Sequence, residues 1–239
     1  MESECSNDEG ELSDRRVAKG ENRIPPAVAV MVAVVVYAFL PNSVLFTARF
    51  VIPGLELVLL AALVATNPRR MTRQSRWSRW LSAGLALVVI LANMVSLGLL
   101  VSSLNQKAGS GSHLLVAGMQ VWLTNVIGFA LLYWELDRGG PVARRQLSRR
   151  QLPAADWRFS QDENGDNVTE VKKTASEVSG WIPVFVDYLY LSVTNSSAFS
   201  PTDTMPLTTR AKTLMAIQAS AALLTSLLVV ARAVGTLGG

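Results

Sequence analysis

Asp187, Thr194 and Asn195 fall on one side of a helix drawn through "FVDYLYLSVTNSS", and Asp203 follows in the turn "AFSPTD". Val186, Leu189 and Val193 take the opposite face. Carboxylate, hydroxyl and amide groups offer oxygen ligands to a small ion and hydrogen bonds to water. Inside a membrane such groups must find a partner or water, which makes an intramembrane acid a functional candidate. Asp203 and this polar stripe are therefore expected to matter more than the loop arginines. In the bland reading Asp187 sits near the interface and Asp203 caps the last helix. Glu56, Asn93 and Asn125 are secondary candidates, each set in a largely apolar stretch. If the second span starts at Pro53, Glu56 falls in the first turn and complements the helix dipole. If it starts at Val44, Glu56 is deeply buried. Asn93, Gln120, Thr124, Asn125 and Gln218 suit hydrogen bonds between helices, and a polar path would use the same types.

Other chemistries lack their residues. No Gly-rich phosphate loop precedes a helix. No G-x-S-x-G elbow is present, and the lone His113 has no nucleophile at a suitable spacing. A single cysteine, Cys5, cannot form an internal disulfide. No His/Cys cluster is available for a transition metal. "DENGDN" imitates calcium-loop spacing but lacks the glutamate at the twelfth position. The chain is not expected to be an enzyme, and neither a cofactor nor a metal is expected.

The elements that would position the stripe are membrane helices. Half of the 239 residues are hydrophobic and 17% are charged, where a soluble domain carries about 25%. The apolar residues form runs of about 20, enough to cross a bilayer core of about 30 Å. Residues 1–23 hold seven acids and four bases without apolar periodicity, and read as a disordered cytoplasmic tail. Residues 24–134 read as four transmembrane helices, and 135–180 as a polar, arginine-rich loop. Residues 181–239 read as a hairpin: a short helix over 182–199, a turn over 200–207 and a last transmembrane helix over 208–237. The segment 67–80 carries five arginines and no acid. Two spans separate it from the second arginine-rich loop, so both loops can face the cytoplasm, and so can the N-terminal tail. Trp77, Trp80, Trp134 and Trp181 flank these loops as an interfacial belt. The net charge of +4 is explained by this topology, and nucleic acid is not an expected partner. The lipid bilayer is.

The stretch "YLYLSVTNSSAFSPTD", followed by "PLTTRAKTLMAIQASAALLTSLLVVARAV", resembles the pore hairpin of potassium channels over residues 181–236. That pattern is a short pore helix, a filter, an acid and an inner helix, and Asp203 matches the acid. Ala198, Phe199, Ser200, Pro201 and Thr202 stand where the potassium filter has Thr-Val-Gly-Tyr-Gly. Both glycines and the tyrosine are missing, so the carbonyl ring of a potassium filter is not expected. The chain also resembles a family of uncharacterised bacterial integral membrane proteins with such a degenerate hairpin after several spans; "YWELDRGGP" (133–141) fits that family too.

Because the loop before the hairpin is placed inside, the hairpin would dip from the cytoplasm, an inverted arrangement that resembles ionotropic glutamate receptors. The rival is a sixth full span over 181–200, which would place Arg210 and Lys212 outside. The fold class is thus an all-α, polytopic transmembrane bundle of five spans plus a re-entrant or sixth helix, in the cell inner membrane. The resemblance implies an oligomeric, ion-conducting pore without potassium selectivity, a homo-oligomer whose ligands are small ions. A non-conducting scaffold and a small secondary transporter are the alternatives, the last without a visible inverted repeat.

Overall fold

The computed structural model describes residues 21–22, 24–39, 54, 57–58, 61, 70–71, 76–103, 111–163, 168–198 and 203–237. Glu56, the tail up to residue 20 and the filter-like residues Phe199 to Thr202 lie outside the described residues.

Among the described residues four long or apolar helices stand out: α1 (Ile24–Ala38), α2 (Arg76–Ser103), α3 (Gly111–Leu136) and, at the end, α8 (Thr209–Leu237). Three of them contain stretches long and apolar enough to cross a membrane: Leu81–Ser102, Leu115–Gly139 and Thr209–Ala231. Helix α1 is equally apolar but has only 15 residues. Between α3 and α8 lie α4 (Pro141–Gln146), the short α5 (Thr169–Lys172) and α6 (Ser176–Ser179), and α7 (Phe185–Ser197). Two two-residue ladders complete the structure. In the first, β1 (Glu21–Asn22) pairs antiparallel with β2 (Arg70–Met71). In the second, β3 (Trp157–Arg158) pairs antiparallel with β4 (Met205–Pro206).

Helix α3 ends because three successive residues take positive φ: Arg138 at 51°, Gly139 at 83° and Gly140 at 94°. Glycine adopts this region freely. At Gly139 a Cβ would also come within 3.1 Å of both Ala143 Cβ and Pro153 Cγ. Pro141 then starts α4 at a position where its missing N–H costs little. The sequence Asp-Arg-Gly-Gly-Pro is thus a corner that turns the chain under the end of α3.

Contacts at this corner fix the course of the chain. Pairing of Glu21 with Met71 brings the start of α1 beside the first arginine-rich segment. The Glu21 carboxylate accepts hydrogen bonds from Trp134 Nε1 (2.7 Å) at the end of α3 and from Phe185 N (3.1 Å) at the start of α7. The amide of Leu207 donates to the Asp156 carbonyl at 2.8 Å, just before α8. Glu21, the 70–71 strand, the end of α3, the described residues of the 137–184 segment and the starts of α7 and α8 therefore share one end of the bundle. Helix α8, with 29 residues, carries the chain to the other end.

Helix α7 does not cross. Its 13 residues span about 20 Å at 1.5 Å each, short of a bilayer core of about 30 Å. It runs parallel to α8. Asn195 donates to Met215 O (3.1 Å) and to Gln218 Oε1 (2.9 Å), and both partners lie at a similar depth from the start of their helix. By Met205 the chain is back beside Arg158. Among the described residues of this stretch no helix is long enough to make a full span. A reporter fused after Gly239 is accordingly expected on the opposite side of the membrane from one fused before Glu21. Same-side activity from both fusions would restore a sixth span.

Several boundaries shift from the sequence reading. The short helix covers 185–197 instead of 182–199, because Pro183 precedes it and Val184 is extended. The N-terminal tail is ordered at its last turn, where Glu21 is buried. The polar loop of 135–180 is a folded cap: Trp157 and Phe159 are buried within it and stack against Tyr133, Tyr188 and Trp181. Trp134 is buried and hydrogen-bonded to Glu21, so it anchors protein to protein and is not a lipid-facing belt residue. Outward residues of the bundle, such as Leu223, Leu224, Leu227 and Val230 on α8, are apolar as lipid contact demands.

Candidate functional site

Three groups of buried polar side chains occupy the bundle. The first joins α7 to α8 and α3. Gln218, fully buried on α8, accepts at Oε1 from Tyr133 OH (2.6 Å) and Asn195 Nδ2 (2.9 Å). Its Nε2 donates to Ser192 O (3.1 Å) and Ser196 Oγ (2.9 Å). Ser192 Oγ in turn donates to Val126 O of α3 at 2.7 Å. Period 3.6 puts Ser192, Asn195 and Ser196 on one face of α7. One glutamine therefore clamps the re-entrant helix through both ends of its amide, and no atom of this group is left unmet.

The second group is ionic and lies at the corner. Asp137 is fully buried; it accepts from Tyr188 OH at 2.5 Å and from Asp156 N at 2.8 Å. Arg138 Nε stands 3.4 Å from the same carboxylate, and Arg138 also pairs with Asp162. Asp156 binds Arg210 and Thr208 at the start of α8, while Thr208 Oγ accepts from Ala211 N (3.2 Å) and caps that helix. Arg144 is completely buried. Its Nη1 donates to the carbonyls of Trp134 (2.8 Å) and Asp137 (2.7 Å) at the end of α3, the second of which also accepts from Gly140 N. Its guanidinium lies 5.0 Å from the centre of the Tyr188 ring, and Nη2 is 3.8 Å from Glu21. Burial pushes the Glu21 carboxyl above the ordinary range, opposed by the nearby Arg144 charge. An open cleft of about 380 Å³ adjoins this corner between Arg138, Arg149, Arg158 and Asp162. All three arginines already hold partners: Asp162, the Ser176 and Trp181 carbonyls, and Glu163.

The third group lies on the seam between α2 and α3, where Thr124 Oγ donates to Asn93 Oδ1. Ser96, one turn from Asn93, and Asn125, next to Thr124 in the chain, are buried too.

The residues singled out from sequence separate as follows. Asn195 is buried and belongs to the Gln218 clamp. Thr194 is half-buried and returns its hydroxyl to the carbonyls of Tyr190 and Leu191 on its own helix. Asp187 caps α7, accepting from Val184 N at 2.7 Å. Asp203 is exposed, touched by the Thr204 hydroxyl at 3.4 Å; the cap of α8 is Thr208 instead. Asn93 is bonded to Thr124 on the α2–α3 seam, and Asn125 is buried on α3. Asp187, Thr194, Asn195 and Asp203 do not converge on one point. The residues that do converge, Asp137, Arg138, Arg144, Asp156 and Glu21, come from segments read as loop and tail. Their one sequence signal is the "ELDRGGP" corner, an ion pair and a turn placed directly after an apolar run. Among the described residues no group of three or more His, Cys, Asp or Glu is placed to hold a metal.

No family model, curated protein or solved structure matches the chain.

Proposed function

We propose that this is a multi-pass protein of the cell inner membrane whose α7–α8 hairpin lines an oligomeric ion-conducting pore without potassium selectivity. The observation that carries this reading is the half-length helix that enters beside α8 and returns to the same end. Backbone that leaves helical form at membrane depth is tolerated only inside protein or beside water. A helix serving only to pack would gain more buried hydrogen bonds by crossing. In this reading the chain crosses five times, the corner and both arginine-rich segments face the cytoplasm, and copies of the chain surround an axis. Loss of both filter glycines removes the backbone freedom that a carbonyl ring needs, so sodium and potassium are expected to pass at comparable rates.

A non-conducting scaffold is the second reading. It is favoured by the engagement of Ser192, Asn195 and Ser196 within the chain. Flux from liposomes decides between them. Comparable sodium and potassium flux supports the pore; a folded, correctly inserted protein without flux leaves the scaffold. Strong preference for potassium would refute the selectivity claim.

A further inference from the structure

We infer that the α2–α3 seam around Asn93 and Thr124 is a closed hydration site, filled by bound water in the membrane-embedded part of the folded protein. The inference is independent of whether the hairpin conducts.

It rests on a contrast between two buried polar groups in one bundle. Around Gln218 every side-chain donor and acceptor is met. Around Asn93 five atoms are buried and have no hydrogen-bond partner among the described residues: Asn93 Nδ2, Ser96 Oγ, Gln120 Oε1, and both Nδ2 and Oδ1 of Asn125. Asn93, Ser96 and Asn125 are each at most 2% exposed. Ser96 does not even use the remedy of Thr225, whose hydroxyl donates to a carbonyl of its own helix at 2.8 Å. Rotating the Asn125 amide changes nothing, since both its ends are unmet.

The five atoms lie within about one helical turn of the Asn93–Thr124 bond. Close approaches of α3 lie on either side of them. At Gly128 a Cβ would come within 3.0 Å of Ile90 and 3.1 Å of Val89, both on α2. At Gly118 it would come within 2.4 Å of Val229 on α8, with Leu100 of α2 at 4.0 Å. Two glycines thus bring α3 against α2 on one side and against α8 on the other, and the polar stretch lies between them. Its chemistry selects the occupant. Amide N–H donors and carbonyl and hydroxyl oxygens are mixed. A bare cation would face the amide nitrogens and an anion the oxygens, whereas water both donates and accepts. Immobilising water is much cheaper than leaving buried polar groups unmet.

Radiolytic footprinting tests this, because X-rays generate hydroxyl radicals from water wherever it sits. Leu97, one turn from Asn93, and Leu131, two turns beyond Thr124, are both 6% exposed. Leu97 is expected to be modified several-fold faster than Leu131 in the intact protein. Replacing Asn93 and Asn125 together by leucine should bring Leu97 down to the rate of Leu131. Equal slow modification of the two leucines in the unaltered protein overturns the proposal. So does fast labelling of Leu97 that persists in a folded double variant. If the double variant does not fold, the comparison in the unaltered protein decides alone.

Discussion

Asp137→Ala is expected to destabilise the protein by about 3–5 kcal/mol, the range for removing one partner from a buried charge pair. The substitution strips Tyr188 OH and Asp156 N of their acceptor and leaves Arg138 with Asp162 and the Trp157 carbonyl. It also unlinks three elements, because Asp137 ends α3, Tyr188 lies in α7 and Asp156 holds the start of α8. Asp137→Asn keeps an acceptor and the volume, so a smaller loss of about 1–2 kcal/mol is expected. Unfolding in mixed micelles of mild detergent and dodecyl sulfate measures both. A cycle with Tyr188→Phe should show coupling above about 0.5 kcal/mol, the limit of simple additivity. An alanine variant within about 0.5 kcal/mol of the parent, the usual range for surface substitutions, would mean that the corner does not hold the helices together.

This corner also shows where sequence reading stops. The spans of α2, α3 and α8 were legible because lipid imposes a composition on any helix that crosses it. Runs without charge around Leu85, Phe129 and Leu223 could hardly be anything else. Their grouping by end followed from arginine placement, and the Glu21–Trp134 and Asp156–Leu207 contacts agree with it. The re-entrant helix was legible as an alternative, since Ser192, Asn195 and Ser196 repeat at helical spacing on an otherwise apolar segment. The length of α7 and the return of Met205 to Arg158 are what the structure adds, and neither can be read from spacing. The ionic corner was not legible. Asp137, Asp156 and Arg144 look like solvated loop charges. They are buried only because Trp157, Phe159 and Tyr188 converge from segments far apart in the chain. Asp203, to which the resemblance to a filter acid gave weight, is exposed in the single chain.

Gln218→Leu is the second large effect expected. The leucine fills about the same volume but meets none of the groups that the amide holds, two bonds at Oε1 from Tyr133 OH and Asn195 Nδ2 and the two protons of Nε2 shared among Ser196 Oγ and the carbonyl and hydroxyl of Ser192. Single hydrogen bonds between membrane helices average about 0.6 kcal/mol. Simple addition would give about 2.4 kcal/mol for four such bonds. Buried groups left unmet cost about 1–3 kcal/mol each when they cannot reach water, so about 3 kcal/mol is a fair expectation for the whole clamp. Ser196→Ala removes one member and leaves both ends of the glutamine engaged, so it should cost under about 1 kcal/mol. The two variants also differ in what they release. Without the clamp, α7 keeps its cap at Asp187, its link from Tyr188 to Asp137 and the bonds from Asn195 to Met215 O and from Ser192 to Val126 O, but loses the hold of Gln218 on Ser192, Asn195 and Ser196 toward the tip. A cysteine placed at Ser197, in a chain whose Cys5 has been replaced by serine, should then react with a water-soluble maleimide several-fold faster in the Gln218→Leu background than in the Ser196→Ala background. Equal stability and equal reactivity in the two backgrounds would show that the hairpin is held by packing against α3, and that Gln218 is not its clamp.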